Sequence, residues 1–413
     1  MKIIDKYNAL ALDEHFFSFE YFPPKTDAGV LNLFDRIERM AATEPLFCDC
    51  TWGAGGSTSE LTLEICTTVQ KFFGVDIMMH LTCTNMSVEL IYDALKQSKA
   101  AGIMNILALR GDPPVGQEWT ACEDGFSNAV DLVKFIRKEY GDEFGIAVAG
   151  YPEGHIEADS YEKDLQYLKD KIDAGADFIV TQLFYRVENF FKFVDDCRAI
   201  GIKCPIVPGI MPIQNYNGFQ RMTGFCKTDI PEELNTELLT IKDDDEKVKQ
   251  FGIQHSIEMC KKMMARGTKG VHIYTLNLEK SAMGIIKGLG LYTEDTAVRA
   301  QRIFICQART GSDHTWTYAV PPQVRKLPWR PSTISDSRTT AENVRPIFWS
   351  NRPRSFLART MEWRDFRNGR WVRAMSSCKI CWPFALPCFA RQWQGGSQNV
   401  CITCAFNVVS CKS

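Results

Sequence analysis

Eight short apolar runs alternate with amphipathic stretches between residues 16 and 292, and this repeat limits the folds open to the chain. Runs of this kind are typical of buried parallel strands, and the stretches between them have the apolar spacing of surface helices. Eight strand–helix units in about 275 residues predict a (β/α)8 TIM-type barrel, an α/β fold. The predicted strands span residues 16–22, 46–52, 77–81, 103–109, 144–149, 178–181, 206–208 and 270–274. The clearest predicted helices span residues 60–73, 87–101, 128–140, 161–174, 187–200 and 245–265.

A doubly wound sheet is the alternative for such a repeat, and it requires a glycine-rich turn after its first strand. The first predicted strand ends instead at Pro23-Pro24, and no G-x-G-x-x-G or Walker A motif occurs in the sequence. The sequence therefore favours the barrel. After residue 292 the repeat fades, and residues 293–371 carry Pro, Ser, Thr and Arg with isolated aromatics. This composition predicts an irregular C-terminal extension or linker.

Composition and net charge limit which binding partners and which cellular compartment we expect for the protein. The net charge is −2, so nothing favours binding to nucleic acid or to an anionic membrane. The apolar runs are shorter than a membrane-spanning helix, and the N-terminal residues include acidic groups without an apolar signal segment. Ten of the sixteen cysteines are scattered over residues 1–306, as free thiols are in a reducing compartment. We therefore expect a cytoplasmic protein.

One carboxylate, Glu20, interrupts the aromatic-rich first strand. A buried carboxylate without a partner tends to hold its proton, which would suit an acid presented at the mouth of a barrel. The alternative is a glutamate on the solvent face of an edge strand. From this stretch alone, both interpretations stay open.

Polar residues and glycines recur where the predicted strands end, which is where barrel enzymes place their chemistry. The turn at residues 53–56 is rich in glycine, so its backbone could approach a phosphate closely, or it could be an ordinary flexible loop. The helix after strand five carries Asp164, Tyr167, Leu168 and Lys171 at the spacing of one face. A lysine there could meet a pyrophosphate or simply face solvent. No metal-ligand spacing accompanies the histidines, so we predict no metal site.

Seven motifs taken together resemble the methylenetetrahydrofolate reductase family over about residues 13–292. They are Ser18-Phe19-Glu20-Tyr21-Phe22-Pro23-Pro24, His80-Leu81-Thr82-Cys83, Leu109-Arg110-Gly111-Asp112-Pro113, Tyr151-Pro152-Glu153, Thr181-Gln182-Leu183-Phe184, Pro208-Gly209-Ile210 and Tyr274-Thr275-Leu276-Asn277. The resemblance implies a flavin enzyme in which FAD lies across the strand ends. NADH or NADPH would reduce the flavin, which would then reduce 5,10-methylenetetrahydrofolate to 5-methyltetrahydrofolate in a ping-pong scheme.

The resemblance also implies roles for individual residues. Glu20 would be the general acid, and Asp112 would bind the pterin and tune the flavin. The substrate-binding positions would be Glu20, Asp112, Gln182 and Tyr274. The positions that match FAD contacts are Thr51, Trp52, Ala54, His80, Arg110, Gly111, Asp112, Asn128, Ala129, Tyr151, His155, Ala158, Asp164, Tyr167 and Lys171.

Beyond the barrel the expected organisation departs from the family. Residues 1–292 would form the FAD-binding catalytic barrel, and residues 293–371 an extension with an insertion at about 299–324. The S-adenosylmethionine-binding regulatory domain of eukaryotic members is expected to be missing, and residues 372–413 to form a divergent, disordered tail. That tail holds six cysteines and no acidic residue, and its two Cys-x-x-Cys pairs leave a zinc ribbon as the alternative. A homo-oligomer is possible.

Two other functions compete with the reductase. A flavin-free barrel enzyme, such as an aldolase or lyase, would use Glu20 and Asp112 as an acid–base pair. A non-catalytic isoform would bind partners through its altered tail. The colour and spectrum of the purified protein separate the first alternative from a flavoprotein, and turnover separates the second.

Overall fold

The computed structural model describes residues 1–53, 58–112 and 122–292, together with the backbone of two strands further along the chain. The predicted insertion at about 299–324 and the predicted FAD contact Ala54 lie outside these residues, as do both Cys-x-x-Cys pairs. The strands of the barrel are β1 Phe16–Tyr21, β2 Phe47–Cys50, β3 Ile77–Thr82, β4 Asn105–Leu109, β5 Gly145–Gly150, β6 Phe178–Thr181, β7 Ile206–Val207, β8 Gly209–Ile210 and β9 Gly270–Tyr274. The helices are α1 Ile3–Ala9, α2 Asp27–Ala41, α3 Ser59–Phe72, α4 Val88–Ala101, α5 Ala129–Tyr140, α6 Tyr161–Asp173, α7 Val187–Ala199, α8 Tyr216–Cys226, α9 Glu232–Ile241, α10 Asp245–Ala265 and α11 Glu279–Gly288.

The strands form one parallel sheet in the order β7-β6-β5-β4-β3-β2-β1-β9-β8, which confirms the predicted barrel. The predicted seventh strand is divided at Pro208 because proline has no N–H for the ladder. Its first half, β7, pairs with β6, and its second half, β8, pairs with β9. The chain therefore changes partner across one residue, and this change closes the ring.

The interior of the ring is apolar towards the N-terminal ends of the strands. Phe16, Phe47, Phe178 and other inward side chains pack in one buried cluster, which Ile3 of α1 completes. The backbone N–H of Ile3 donates to the Asn105 side chain at 2.7 Å, which anchors α1 against β4. Helix α1 therefore covers this end of the ring, and the opposite end, where the strands terminate, is the mouth.

A larger apolar cluster fills the space between the sheet and the surrounding helices. Several helices begin at a side-chain cap: Thr26, Ser87, Asn128, Ser160, Asn215 and Asp244 each accept from a backbone N–H one turn ahead. Gly102 ends α4 in the left-handed conformation, as the Ala-Gly pattern predicts.

Two further strands, β10 Arg359–Asp365 and β11 Arg370–Ser376, pair as an antiparallel hairpin. The sequence pattern left this part of the extension without regular elements. No helix in the described parts of the chain has the length and apolar character needed to cross a membrane.

We predict that Gly209→Ala destabilises the barrel. A Cβ at Gly209 would lie 2.3 Å from the Thr181 carbonyl oxygen and 2.5 Å from the Tyr274 ring, at the point where the seventh strand changes partner. Overpacking of this kind costs about 1–3 kcal/mol, so the midpoint of thermal unfolding followed by circular dichroism should fall.

The matched control is Gly224→Ala, on the exposed part of α8, where an added Cβ meets nothing within 4 Å. Alanine is favoured over glycine in a helix by roughly 0.5–1 kcal/mol, so this variant should be at least as stable as the parent. Equal midpoints for the two variants would contradict the packing argument.

Candidate functional site

Glu20 lies near the C-terminal end of β1 and points into the ring. Strand β1 pairs with β2 on one side and β9 on the other, so it is not an edge strand. The Glu20 side chain is 20% exposed, at the mouth of the barrel. The structure thus favours the barrel acid over the solvent-facing glutamate.

Three ionisable side chains lie beside Glu20 inside the ring: Asp49 of β2, His80 of β3 and His272 of β9. Nε2 of His80 is 3.2 Å from Oδ2 of Asp49 and 3.7 Å from Oε2 of Glu20. Nε2 of His272 is 3.4 Å from the same Asp49 oxygen and 3.8 Å from the same Glu20 oxygen. Two imidazoles therefore face two carboxylates in a compact cluster, which we call the mouth cluster.

His272 is fixed by its neighbours. Its Nδ1 lies 2.9 Å from the Ser18 hydroxyl, and its ring stacks on Phe47 at a centroid distance of 5.7 Å. Burial lowers the pKa of His272, but the nearby charges of Asp49 and Glu20 outweigh burial and raise it above the ordinary value. The 3.8 Å separation from Glu20 is too long for a hydrogen bond, so we attribute the effect of Glu20 to its charge.

Potential ligand atoms of Glu20, Asp49 and His80 lie within 4.8 Å of one another, a spacing that a metal ion could also occupy. The histidine nitrogens of the mouth cluster already face carboxylate oxygens, and Nε2 of His80 is hydrogen-bonded to Asp49. We therefore treat the cluster as a buried ion-pair network.

The Tyr274-Thr275-Leu276-Asn277 motif holds the end of β1 in place. The Thr275 hydroxyl donates to the Glu20 carbonyl at 2.5 Å. The Asn277 amide bridges the Phe22 backbone, accepting from its N–H at 3.0 Å and donating to its carbonyl at 2.8 Å. Leu276 and Asn277 have φ values of 50° and 56°, which is a strained conformation for leucine. Strain of this kind persists where surrounding contacts enforce it, often beside a functional site.

Tyr274 and Gln182 lie on the side of the mouth opposite β2. The Tyr274 hydroxyl donates to the Thr181 carbonyl at 2.5 Å, and its ring meets His272 edge-on at 5.2 Å. The Gln182 side chain accepts from the Leu183 N–H at 2.9 Å, so its amide nitrogen is the end left to meet a ligand. The two predicted substrate positions therefore border the mouth cluster.

A second group of predicted positions follows β2, β3 and β4. Two polar atoms there, Nε1 of Trp52 and Oγ1 of Thr82, are buried and have no hydrogen-bond partner among the described residues. Gly111 has a φ of 88°, and a Cβ at this position would lie 2.7 Å from Cβ of Thr82. Arg110 pairs with Glu157 at 2.5 Å.

A third group lies around the end of β5 and α6. Nζ of Lys171 donates to the Ala149 carbonyl at 2.6 Å and lies 5.8 Å from the centre of the Tyr151 ring, while His155 meets that ring edge-on at 4.7 Å. Burial lowers the pKa of Lys171 to about 8, although the Asp164 carboxylate acts in the opposite direction. Burial also lowers the pKa of His155 and raises that of Asp164. This group therefore holds a partly buried cation at the rim.

The remaining predicted positions differ in exposure. Asp164 and Leu168 are buried, whereas Tyr167 is 59% exposed, so the predicted helix face is only partly turned inward. Asp112 and Asn128 are exposed, and the Asn128 side chain caps α5 directly before Ala129. Thr51 follows β2 and accepts a hydrogen bond from Thr62 through its carbonyl, and the Ala158 N–H donates to the His155 carbonyl.

Asp49 and His272 are the residues that the sequence reasoning missed. Both lie inside apolar runs, Phe47-Cys48-Asp49-Cys50 and Gly270-Val271-His272-Ile273, away from the strand ends where candidates were sought. The available signal was a polar residue at an inward position of a fully buried strand, where a polar group requires a partner.

Comparison of the sequence with known proteins shows which family it resembles. Residues 6–290 match the family model described as methylenetetrahydrofolate reductase. A protein from Oryza sativa subsp. japonica named probable methylenetetrahydrofolate reductase (NADH) is 53% identical over 382 residues, which are 90% of this chain and 60% of the relative. Methylenetetrahydrofolate reductase (NADH) 1 of Zea mays is 54% identical with the same coverage. A Caenorhabditis elegans protein named probable methylenetetrahydrofolate reductase (NADPH) is 40% identical and covers 88% of this chain and 51% of the relative.

The same comparison corrects one expectation. Residues 324–380 match a model described as the SAM-binding regulatory domain of this family, so the prediction that the regulatory domain is missing was wrong for this segment. Residues 372–413 were expected to form a divergent tail, but the match extends into that segment as far as residue 380. The chain spans about 60% of the length of the plant relatives it matches.

We predict that Lys171 gives the stability of the protein a distinct pH dependence. Because its folded-state pKa of about 8 is below the ordinary value of 10.5, the unfolded chain binds the proton more strongly. The cost of burying the charged lysine is therefore complete below pH 8 and disappears as the pH rises towards 10.5. Relative to Lys171→Met, the parent protein should gain stability across this window, measured by urea unfolding at a series of pH values.

Lys169→Met is the matched control, because Lys169 lies on the same helix and pairs with Asp173 near the surface. Its stability difference from the parent should show no comparable gain over that window. If the Lys171→Met difference were constant between pH 8 and 10.5, the buried cation would be excluded.

Proposed function

The chain belongs to the methylenetetrahydrofolate reductase family, and on this basis we propose that its barrel reduces 5,10-methylenetetrahydrofolate to 5-methyltetrahydrofolate with FAD and a reduced nicotinamide. The observation that carries the proposal is the position of Glu20, an inward-facing carboxyl group at the barrel mouth beside the mouth cluster. The flavin-free aldolase or lyase remains the alternative, and a colourless purified protein would favour it.

Glu20 would act as the general acid. The five-membered ring of the substrate must open before hydride can reach the methylene carbon, and opening requires a proton on N10 as the C–N10 bond breaks. A carboxylic acid held inside the ring mouth can deliver that proton without competition from bulk water. The product of this step is the N5 iminium, and Glu20 is left as a carboxylate.

The residues along β2 to β5 fit FAD. The unpartnered Trp52 and Thr82 atoms are polar groups that a cofactor could satisfy. Lys171 offers a partly buried cation for a pyrophosphate. When bound, FAD would supply hydride transfer between the nicotinamide and the folate. Thr51, Trp52, His80, Arg110, Gly111, Tyr151, His155, Asp164 and Lys171 would hold it, with Asn128, Ala129, Ala158 and Tyr167 at the margin.

The other side of the mouth would receive the substrate. The Gln182 amide can donate to a pterin or nicotinamide carbonyl, because its oxygen already accepts from Leu183. Tyr274 would form an apolar wall, since its hydroxyl is engaged with Thr181. Asp112 is exposed after β4, where its carboxylate can accept from the amino and ring N–H groups of a pterin.

We predict that Glu20→Gln separates the two half-reactions. Glutamine cannot supply the proton on N10, so reduction of the folate should fall by at least about a hundredfold, while flavin reduction by the nicotinamide should stay within about twofold. Stopped-flow absorbance of the flavin, recorded first with the nicotinamide and then with the folate, measures each half separately.

Glu60→Gln, on the exposed surface of α3, is the control and should leave both half-reactions unchanged. An equal loss in both half-reactions of Glu20→Gln would indicate damage to flavin binding and would contradict the acid role.

We further predict that NADH is the better reductant. The rice and maize relatives, which are 53–54% identical, are named as NADH enzymes, whereas the 40% identical nematode relative is named as an NADPH enzyme. The rate of flavin reduction at equal, subsaturating NADH and NADPH tests this directly. Faster reduction by NADPH would contradict the preference and leave the proposed reaction intact.

A further inference from the structure

Asp49 lies deeper in the ring than Glu20 and has an unusual set of neighbours. Its side chain is fully buried, and its Oδ2 faces the Nε2 atoms of both His80 and His272 at 3.2 and 3.4 Å. Its Oδ1 has no hydrogen-bond partner within the described part of the chain. A buried, ionised carboxylate destabilises the folded protein unless nearby positive charge neutralises it.

Charge balance in the mouth cluster links Asp49 to Glu20. Two carboxylates within 4.8 Å of each other resist being ionised together, since the negative charge of one favours the proton on the other. Asp49 is the more buried of the two, but one histidine cation can neutralise it. His272 is suited to this role: its Nδ1 lies against the Ser18 hydroxyl, and its Nε2, which forms no hydrogen bond within the described residues, lies 3.4 Å from Oδ2 of Asp49. Glu20 then faces a pair that carries no net charge.

We propose that Asp49 and His272 form a buried ion pair that sets the protonation of Glu20 and so prepares it to act as the acid. Both are positioning residues in this scheme, because they act through Glu20 and not on the substrate. The proposal rests on the proposed function and adds to it the device that returns Glu20 to its acid form. After Glu20 gives up its proton, the cluster carries an extra negative charge, which favours uptake of a proton from water at the mouth.

Four ionisable groups lie around Glu20 and enter this balance. His80 approaches from β3, Asp49 from β2, and His272 and Tyr274 from β9. Burial, aided by the charges of Glu20 and Asp49, raises the pKa of Tyr274 well above its ordinary value, so this phenol stays neutral. The charges of Asp49 and Glu20 raise the pKa of His272, which favours a cation beside Asp49.

The two members of the pair should shift the pH profile in opposite directions. In Asp49→Asn the negative neighbour of Glu20 is lost and His272 is free to stabilise ionised Glu20. As the pH rises, the folate half-reaction should therefore lose activity at a lower pH than in the parent. In His272→Gln the counter-charge is lost, so the carboxylates keep their shared proton to higher pH. A role confined to packing would reduce the rate without moving the two midpoints apart.

The experiment measures the pH midpoint of the folate half-reaction on the full chain with flavin bound. We expect Asp49→Asn to lower the midpoint by at least about one pH unit, and His272→Gln to raise it. The double variant should return towards the parent value. Flavin reduction by the nicotinamide is recorded in all three variants, so that damage to the flavin site is distinguished from a shift of the midpoint.

Asp76→Asn is the control, because Asp76 is a half-buried carboxylate that pairs with Lys6 at the opposite end of the barrel. It should leave the midpoint unchanged. Equal midpoints for the parent and Asp49→Asn, or shifts of both pair variants in the same direction, would overturn the proposal.

A second readout does not depend on turnover. The infrared difference spectrum between the parent and Glu20→Gln should contain the carbonyl band of a protonated carboxylic acid at neutral pH. In the Asp49→Asn background, the same difference spectrum should show this band disappearing at a lower pH than in the parent as the pH is raised. Absence of the band from the parent at neutral pH would overturn the inference, even if the folate were reduced. Presence of the band without folate reduction would instead count against the proposed function alone.

Discussion

The pairing register of three strands controls the site. Parallel pairing sets Glu20 of β1 opposite Asp49 of β2 and opposite Tyr274 of β9, so these residues lie at one level of the ring. His272 lies one inward position below, opposite Ser18. Because side chains alternate along a strand, a shift of one residue would exchange these polar groups with the outward-facing apolar residues. The chemistry of the mouth is therefore a consequence of how β1 is held between its neighbours.

The rim motif after β9 maintains that register at the end where the ring opens. Thr275 and Asn277 bind the backbone of Glu20 and Phe22, which would otherwise leave the sheet at the double proline. The left-handed conformations of Leu276 and Asn277 permit both contacts within a turn of a few residues. The motif thus has a structural part, since it fixes the height of Glu20 in the mouth.

Much of this arrangement could be predicted from the sequence. The count of apolar runs predicted the barrel, and an isolated carboxylate in an aromatic strand identified Glu20. Strand bounds were less accurate: the second strand was predicted over residues 46–52 but ends at Cys50, because Thr51 and Trp52 already follow the ladder into the loop. The division of the seventh strand depends on which neighbour each residue pairs with, and local sequence does not encode that choice.

Two members of the mouth cluster were beyond prediction for a related reason. Asp49 and His272 are separated by more than two hundred residues in sequence, and each alone is only one polar residue in a buried strand. They come together only when the ring closes, because closure brings β2 and β9 to either side of β1. Inside such a ring the ionisable groups lie beside one another, so the charge of each acts on the others. Attention to strand ends alone finds Glu20 and misses the buried Asp49 and His272 that lie beside it.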